Sequence, residues 1–185
     1  GVKPDPDFTS LAEAPRTIFN VNVTPQRRVA TQATSLARLK AIGEAAGGSI
    51  NDVVLAASSG AMRRFLLEIG ELPRKSLVTS IPVALPRDSN QAGGNAISFA
   101  NVRLGTDIED VRERFDVIRR SSTAGREFLK QMSTKTLMDY TVLISSPQIL
   151  TRLPGIGSRV PPTYNVIISN VPGPRHPLYL GGVQM

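Results

Sequence analysis

The stretch Asn165-Val166-Ile167-Ile168-Ser169-Asn170-Val171-Pro172-Gly173-Pro174 places three uncharged polar side chains inside an apolar run. The β-branched residues suit a pleated strand, and Pro172-Gly173-Pro174 stops it with a rigid turn. An amide or hydroxyl buried in such a strand needs a hydrogen-bond partner from the protein or from a ligand. Strand alternation puts Asn165 and Ser169 on one face and Asn170 on the other, so both faces carry a polar group. Two uses are open. One is strand-end turn chemistry. The other is contact with the polar atoms of a ligand, for which Asn165, Ser169 and Asn170 are the candidates.

A second cluster, Ser49-Ile50-Asn51-Asp52, has the spacing of a capping box. The Ser49 hydroxyl would accept an N–H of the first helical turn, and the Asp52 carboxylate would accept the N–H of Ser49. A negative charge also suits the positive end of a helix. That explains Ser49 and Asp52 structurally; the alternative is that Asn51-Asp52 shapes a ligand channel. Gly47-Gly48 precedes this helix start, a generic anion site, but neither it nor Gly93-Gly94 is followed by the Lys-Ser/Thr of a phosphate loop. His176, the one histidine, reads as a loop residue. With no cysteine and no His/Asp/Glu cluster at ligand spacing, no metal site is expected.

The 185 residues carry 22 Lys and Arg against 15 Asp and Glu, a formal net charge of +7. That balance favours anionic partners: nucleic acid, a membrane surface or a phosphate-bearing ligand such as CoA. The pairs Arg27-Arg28, Arg63-Arg64 and Arg119-Arg120 are where a docking patch would form. Six Phe, three Tyr and no Trp supply few platforms for stacked bases, which argues against nucleic acid. No carboxylate follows Asp139, so the last quarter cannot build a carboxylate acid/base pair. No apolar run reaches the length of a membrane span and no signal-peptide pattern opens the chain, so a cytoplasmic protein of one ordinary domain is expected.

Strands and helices in alternation must position these groups. Residues 1–14 read as a linker or a cut end. Thr17, Phe19, Val21 and Val23 alternate with polar neighbours and predict a strand, and Pro25-Gln26 turns the chain into a second one over 28–34. Ser35 caps a helix that stops at Gly47-Gly48. The next helix reaches about Glu68 and faces the core with Val54, Ala57, Ala61 and Phe65. Leu77 to Leu85 is a strand in which Pro82 implies an edge or a bulge. Ile97 to Leu104 is another strand. A helix opens at Asp107, Glu109 and Asp110, buries Ile108, Val111, Phe115 and Ile118, and ends near Lys130. A further helix covers 137–150, and a strand starts at Leu178. The fold class is mixed α/β (α+β), an open mixed sheet backed by helices.

Taken together, the clusters resemble motifs of the bacterial wax ester synthase/diacylglycerol acyltransferases. Residues 165–174 look like that family's Asn-Val-x-Ile-Ser-Asn-Val-Pro-Gly-Pro; Gly48 to Ala56 with Gly60 to Leu66 looks like its Asn-Asp motif and helix; Gly94-Asn95 resembles a shorter landmark. The three stand in family order, and the resemblance runs from about Pro15 to the end. It implies transfer of a fatty acyl group from acyl-CoA, a substrate, to a long-chain alcohol or diacylglycerol, with no permanently bound cofactor. The family uses a His-His-x-x-x-Asp-Gly motif whose second histidine is the implied general base. His176-Pro177-Leu178 does not match it, so no catalytic residue is expected in this chain. The implied architecture is two related lobes with a channel between them. Residues 15–185 would be the C-terminal lobe, incomplete at its end, with an N-terminal lobe as partner. Asn165, Ser169 and Asn170 would then border substrate, as would Leu178 and Gly182 beyond the turn. Ser49, Asn51, Asp52, Pro172, Gly173 and Pro174 would be structural. Lipid substrates would also suit peripheral contact with a membrane or lipid inclusion. The competing classes are a non-catalytic basic module for an anionic surface and a lobe of a related condensation or acetyltransferase enzyme.

Overall fold

Ser35 starts the first helix, its hydroxyl accepting the Arg38 N–H at 3.4 Å. Helix α1 (Leu36–Ala45) ends where Gly47 adopts φ +66°. That left-handed turn lets the Gly48 N–H donate to Gly43 O at 2.8 Å and delivers the chain straight to Ser49. Ser49 caps α2 (Ile50–Glu68). The computed structural model describes residues 5–21, 24–84, 97–151, 160–171, 173 and 176–184. Gly93-Gly94, Asn95, Pro172 and Pro174 lie outside the described residues.

The chain then forms β1 (Val78–Ala84), β2 (Ile97–Arg103), α3 (Val111–Lys130), α4 (Thr134–Thr151) and β3 (Val166–Ile167). The sheet order is β2-β1-β3, with β1 antiparallel to β2 and parallel to β3. One sheet face carries Leu77, Ile81, Ala100, Val102 and Leu104; it packs on Leu55 and Leu66 of α2 and Ile118 and Leu129 of α3. The other face carries Val78, Ser80, Asn101 and Arg103. It is covered by the segments around 5–21 and 160–165, to whose carbonyls Arg103 and Asn101 donate. The mixed sheet backed by helices agrees with the expected class.

Pro82 sits in the central strand and causes no bulge in the β1–β2 register. Val78 and Ser80 direct their backbone groups to the β3 side. Pro82 shares their parity, so its missing N–H faces the same side, beyond the end of the two-residue β3. Pro147 lies inside α4 for a related reason. It cannot donate to Leu143 O, and the Ser146 hydroxyl donates to that carbonyl at 2.8 Å instead.

Four expectations are corrected. Residues 17–21 form a 3₁₀ turn, Ile18–Asn20, and not a strand, because the Thr17 hydroxyl caps it and accepts the Phe19 N–H at 3.3 Å; Val23 lies outside the described residues. Residues 28–34 form no strand and are exposed; no described strand lies beside them to pair with. On α2 the buried positions are Asp52, Val53, Leu55, Ser59 and Leu66, while Ala57, Ala61 and Phe65 are exposed. Polar Asp52 and Ser59 turn inward because each finds partners there; Ser59 Oγ–H donates to Leu104 O at 2.6 Å. On α3, Phe115 and Ile118 are buried but Val111, in the first turn, is exposed. The segment from Leu178 is a hairpin, β4 (Tyr179–Leu180) with β5 (Val183–Gln184), turned by Gly181 and Gly182 at positive φ.

Candidate functional site

Asp52 is 2% exposed, and both oxygens of its carboxylate accept hydrogen bonds. Ser49 donates to Oδ2 through both its N–H, at 2.9 Å, and its hydroxyl, at 2.7 Å. The Asp52 N–H donates back to Ser49 Oγ at 3.3 Å, completing the capping box. From α3, the Ser122 hydroxyl donates to Oδ1 at 2.6 Å, and Arg126 Nη2 lies 3.9 Å from the same oxygen. The sequence signals the cap; Ser122 and Arg126 give no local sign of their role. The cluster ties α2 to α3, with both Asp52 carboxylate oxygens accepting hydrogen bonds from within the protein. Asn51 beside it is half-buried.

Asn165 is likewise an internal brace. Its Oδ1 accepts the Val78 N–H at 2.9 Å, and its Nδ2 donates to Pro15 O at 2.6 Å and to Asn20 Oδ1 at 2.7 Å. Asn20 in turn donates to Tyr164 O at 3.0 Å. One side chain therefore pins β1, the 3₁₀ turn and the start of β3 together. Beyond β3 the chain emerges: Ser169, Asn170 and Val171 are exposed, as are Gly173, His176, Leu178 and Gly182. The expected substrate-facing set is thus divided, with Asn165 inside and the remainder on the surface. The hydrogen-bond partners of Asp52 and Asn165 do not overlap. Most of the arginine pairs are engaged as well: Arg63 donates to Thr106 O, Arg64 pairs with Glu68, Arg119 with Asp116 and Arg120 with Asp7.

Where β3 meets β1, a cleft of about 70 Å³ opens between Ser80, Phe99, Ile144, Ser145, Tyr164 and Ile167. Sequence reading singled out none of these as site residues except within the β3 string. Ser80 comes from β1, Phe99 from β2 and the Ile144-Ser145 pair from α4, so only the sheet register and the helix packing assemble them. Burial pushes the Tyr164 phenol above its ordinary value, so it stays protonated through neutral pH. The lining can hydrogen-bond to a ligand and offers it apolar walls; among the described residues that line it there is no base able to take a proton near neutral pH.

The profile of the wax ester synthase/diacylglycerol acyltransferase C-terminal domain matches residues 93–185. That of the wax ester synthase/diacylglycerol acyltransferase catalytic domain matches residues 4–54. A putative diacylglycerol O-acyltransferase of Mycobacterium tuberculosis is 41% identical over 93% of this chain. Another from the same species is 38% identical over 100% of it, and one from Mycobacterium bovis is 40% identical over 92%. The solved wax ester synthase/diacylglycerol acyltransferase of Marinobacter aquaeolei VT8 superimposes with a TM-score of 0.76 at 34% identity over 93% of this chain. The chain spans 38% of the length of each of these proteins.

Proposed function

Because this chain belongs to the wax ester synthase/diacylglycerol acyltransferase family, we propose that it forms part of an O-acyltransferase that moves a fatty acyl group from acyl-CoA to a long-chain alcohol or a diacylglycerol. The observation that carries the reading is the C-terminal-domain match over 93–185, which contains the whole Asn165–Pro174 string. In the reaction a general base removes the alcohol proton, the alkoxide oxygen attacks the thioester carbonyl, and the carbon–sulfur bond breaks. The proton then passes to CoA, which leaves as the thiol. The base belongs to a His-His-x-x-x-Asp-Gly motif that these 185 residues do not contain.

This chain's part is scaffolding and substrate contact. Asn165 and Asp52 hold the lobe's shape. The emerging segment from Ile167 through Val171, with Leu178 and Leu180, presents exposed apolar side chains beside Ser169 and Asn170. That surface suits a channel wall shared with a second lobe carrying the histidine. Apolar contact there binds an alkyl chain at about 0.8 kcal/mol per buried methylene. Lipid substrates favour peripheral contact with a membrane or lipid inclusion, and no helix among the described residues is long and apolar enough to cross one.

Two measurements test the reading. The 185-residue chain alone, given hexadecanoyl-CoA and hexadecanol, should form no ester above the uncatalysed rate. Substituted for the matching 38% of the Marinobacter enzyme, it should yield a protein that forms ester. Ester formation by the chain alone would overturn the assignment of the base; a folded but inactive chimera would overturn the family role.

A further inference from the structure

Arg114, in the first turn of α3, is 7% exposed. Its Nη1 donates to Ile108 O at 2.8 Å and to Glu109 O at 3.2 Å. Its Nε and Nη2 donate to no described residue; unlike the sealed Nε atoms of Arg103 and Arg119, both keep accessible surface. Half-buried Arg63 of α2 reaches the same loop, its Nη1 donating to Thr106 O at 2.6 Å. Arg114 Nη2 lies over α2 one turn before Arg63: a Cβ built on Gly60 would stand 3.8 Å from it, with no other tertiary neighbour within 4 Å. Two guanidiniums thus converge, and among the described residues no carboxylate forms an ion pair with either. Asp110 accepts the N–H groups of Arg112 and Glu113 on Oδ1 as the cap of α3, and Asp107, Glu109 and Glu113 are exposed. Burial first, and then the Arg63 charge, lowers the Arg114 pKa against the opposing pull of Asp110, yet the guanidinium stays charged at neutral pH. A cation so withdrawn from water and facing a like charge calls for an anion.

We propose that Arg63 and Arg114 form a binding site for a phosphate monoester, whose oxygens accept from Nε and Nη2 of Arg114 and from the remaining donors of Arg63. A carboxylate has two oxygens and one charge, which serve a single guanidinium fork. A phosphodiester also carries one charge. A terminal phosphate carries about −1.5 to −2 at pH 7 and presents three acceptor oxygens, which answer both forks and both charges. Such a group stands on the nucleotide of CoA and on the headgroup of phosphatidic acid. The first source rests on the acyltransferase reading; the site itself does not.

The test is a titration of the ¹⁵N-labelled 185-residue chain with inorganic phosphate, and with dimethyl phosphate and acetate at matched ionic strength. Saturable shifts are expected at the Arg114 Nε–H and at the backbone amides of Arg63 and Thr106, with inorganic phosphate binding roughly tenfold more tightly than either singly charged ion. Gly60→Asp sets a carboxylate beside Arg114 Nη2. It should raise the melting temperature and abolish the phosphate shifts, while Gly60→Ala keeps them. Arg63→Gln should weaken phosphate binding roughly tenfold and remove the stabilisation that phosphate gives against heat. Adenosine 3′,5′-bisphosphate and glycerol 3-phosphate then separate the two sources, the tighter one naming a nucleotide or a lipid headgroup. Equal binding of phosphate, dimethyl phosphate and acetate, shifts elsewhere on the chain, no saturable shift, or a Gly60→Asp protein that binds phosphate like its parent would each overturn the proposal. Ester formation is not measured, so failure here and failure of the acyltransferase reading are separate results.

Discussion

Asp52 is a residue whose removal is costly for its size. It accepts from Ser49 twice and from Ser122 once, all in a buried setting. Asp52→Ala loses a cap, leaves the Ser49 and Ser122 hydroxyls without this acceptor and removes the counter-charge 3.9 Å from Arg126, an expected loss of about 2–4 kcal/mol in urea unfolding. Asp52→Asn should fall in between. A change under about 0.5 kcal/mol would remove Asp52 from the structural role. Gly48 is constrained from the other side of the same turn. A Cβ there would stand 2.6 Å from Phe115 Cζ, and Phe115 is 8% exposed, with little room to withdraw. Gly48→Ala should destabilise by about 1–3 kcal/mol. Phe115→Leu in the same background should recover part of it, and additive losses would contradict the clash.

Among the elements, the β4–β5 hairpin depends on its two-residue turn. Gly182 has φ +84°, where a β-branched side chain is strained. Gly182→Val should therefore open the hairpin, seen as faster amide exchange at Leu180 and Val183, and leave the melting of the main sheet within about 1 °C, since the hairpin residues are exposed. A lowered main transition would mean that the hairpin packs on the sheet. Any effect of this variant on lipid selectivity has to be read after that strain is accounted for. Helix α4 stays continuous past Pro147 because Ser146 answers the Leu143 carbonyl. Helix α2 shows how burial follows partners: Ser59 is inside because Leu104 O accepts from it, while Phe65 with no such constraint is 43% exposed.

The whole molecule has an alkaline limit written into its tyrosines. Burial raises both Tyr140 and Tyr164 above the ordinary 10.0, so the fold holds the neutral phenols. A group whose folded pKa is raised contributes its full stability below the unfolded value and loses it as pH rises through the folded one. Melting temperature should thus be insensitive to these groups below about pH 9.5 and fall above pH 10. Tyr140→Phe should flatten that fall. An unchanged alkaline slope in this variant would assign the loss to other groups.

The starts of α1 and α2, the fold class and the family were legible in the sequence, the two caps because each rests on contacts within a turn of helix and the family because it rests on uninterrupted strings of residues; α3 and α4 instead start at Val111 and Thr134, not at 107 and 137. Ser49 and Asp52 meet three residues apart, and the sequence alone specifies that box. The partners of Asn165 lie at Pro15, Asn20 and Val78, and no local pattern marks them. Alternation gave Asn165 a face but could not say that its amide would be spent inside the protein. It also could not show that β3 would pair over two residues and release Ser169 and Asn170 to the surface. The inward face of α2 was decided by long-range partners for polar side chains, which a hydrophobic stripe does not reveal. The cleft required the β1–β2 register, the short β3 and the packing of α4 together, because hydrogen bonds and burial between distant residues exist only once the chain has folded.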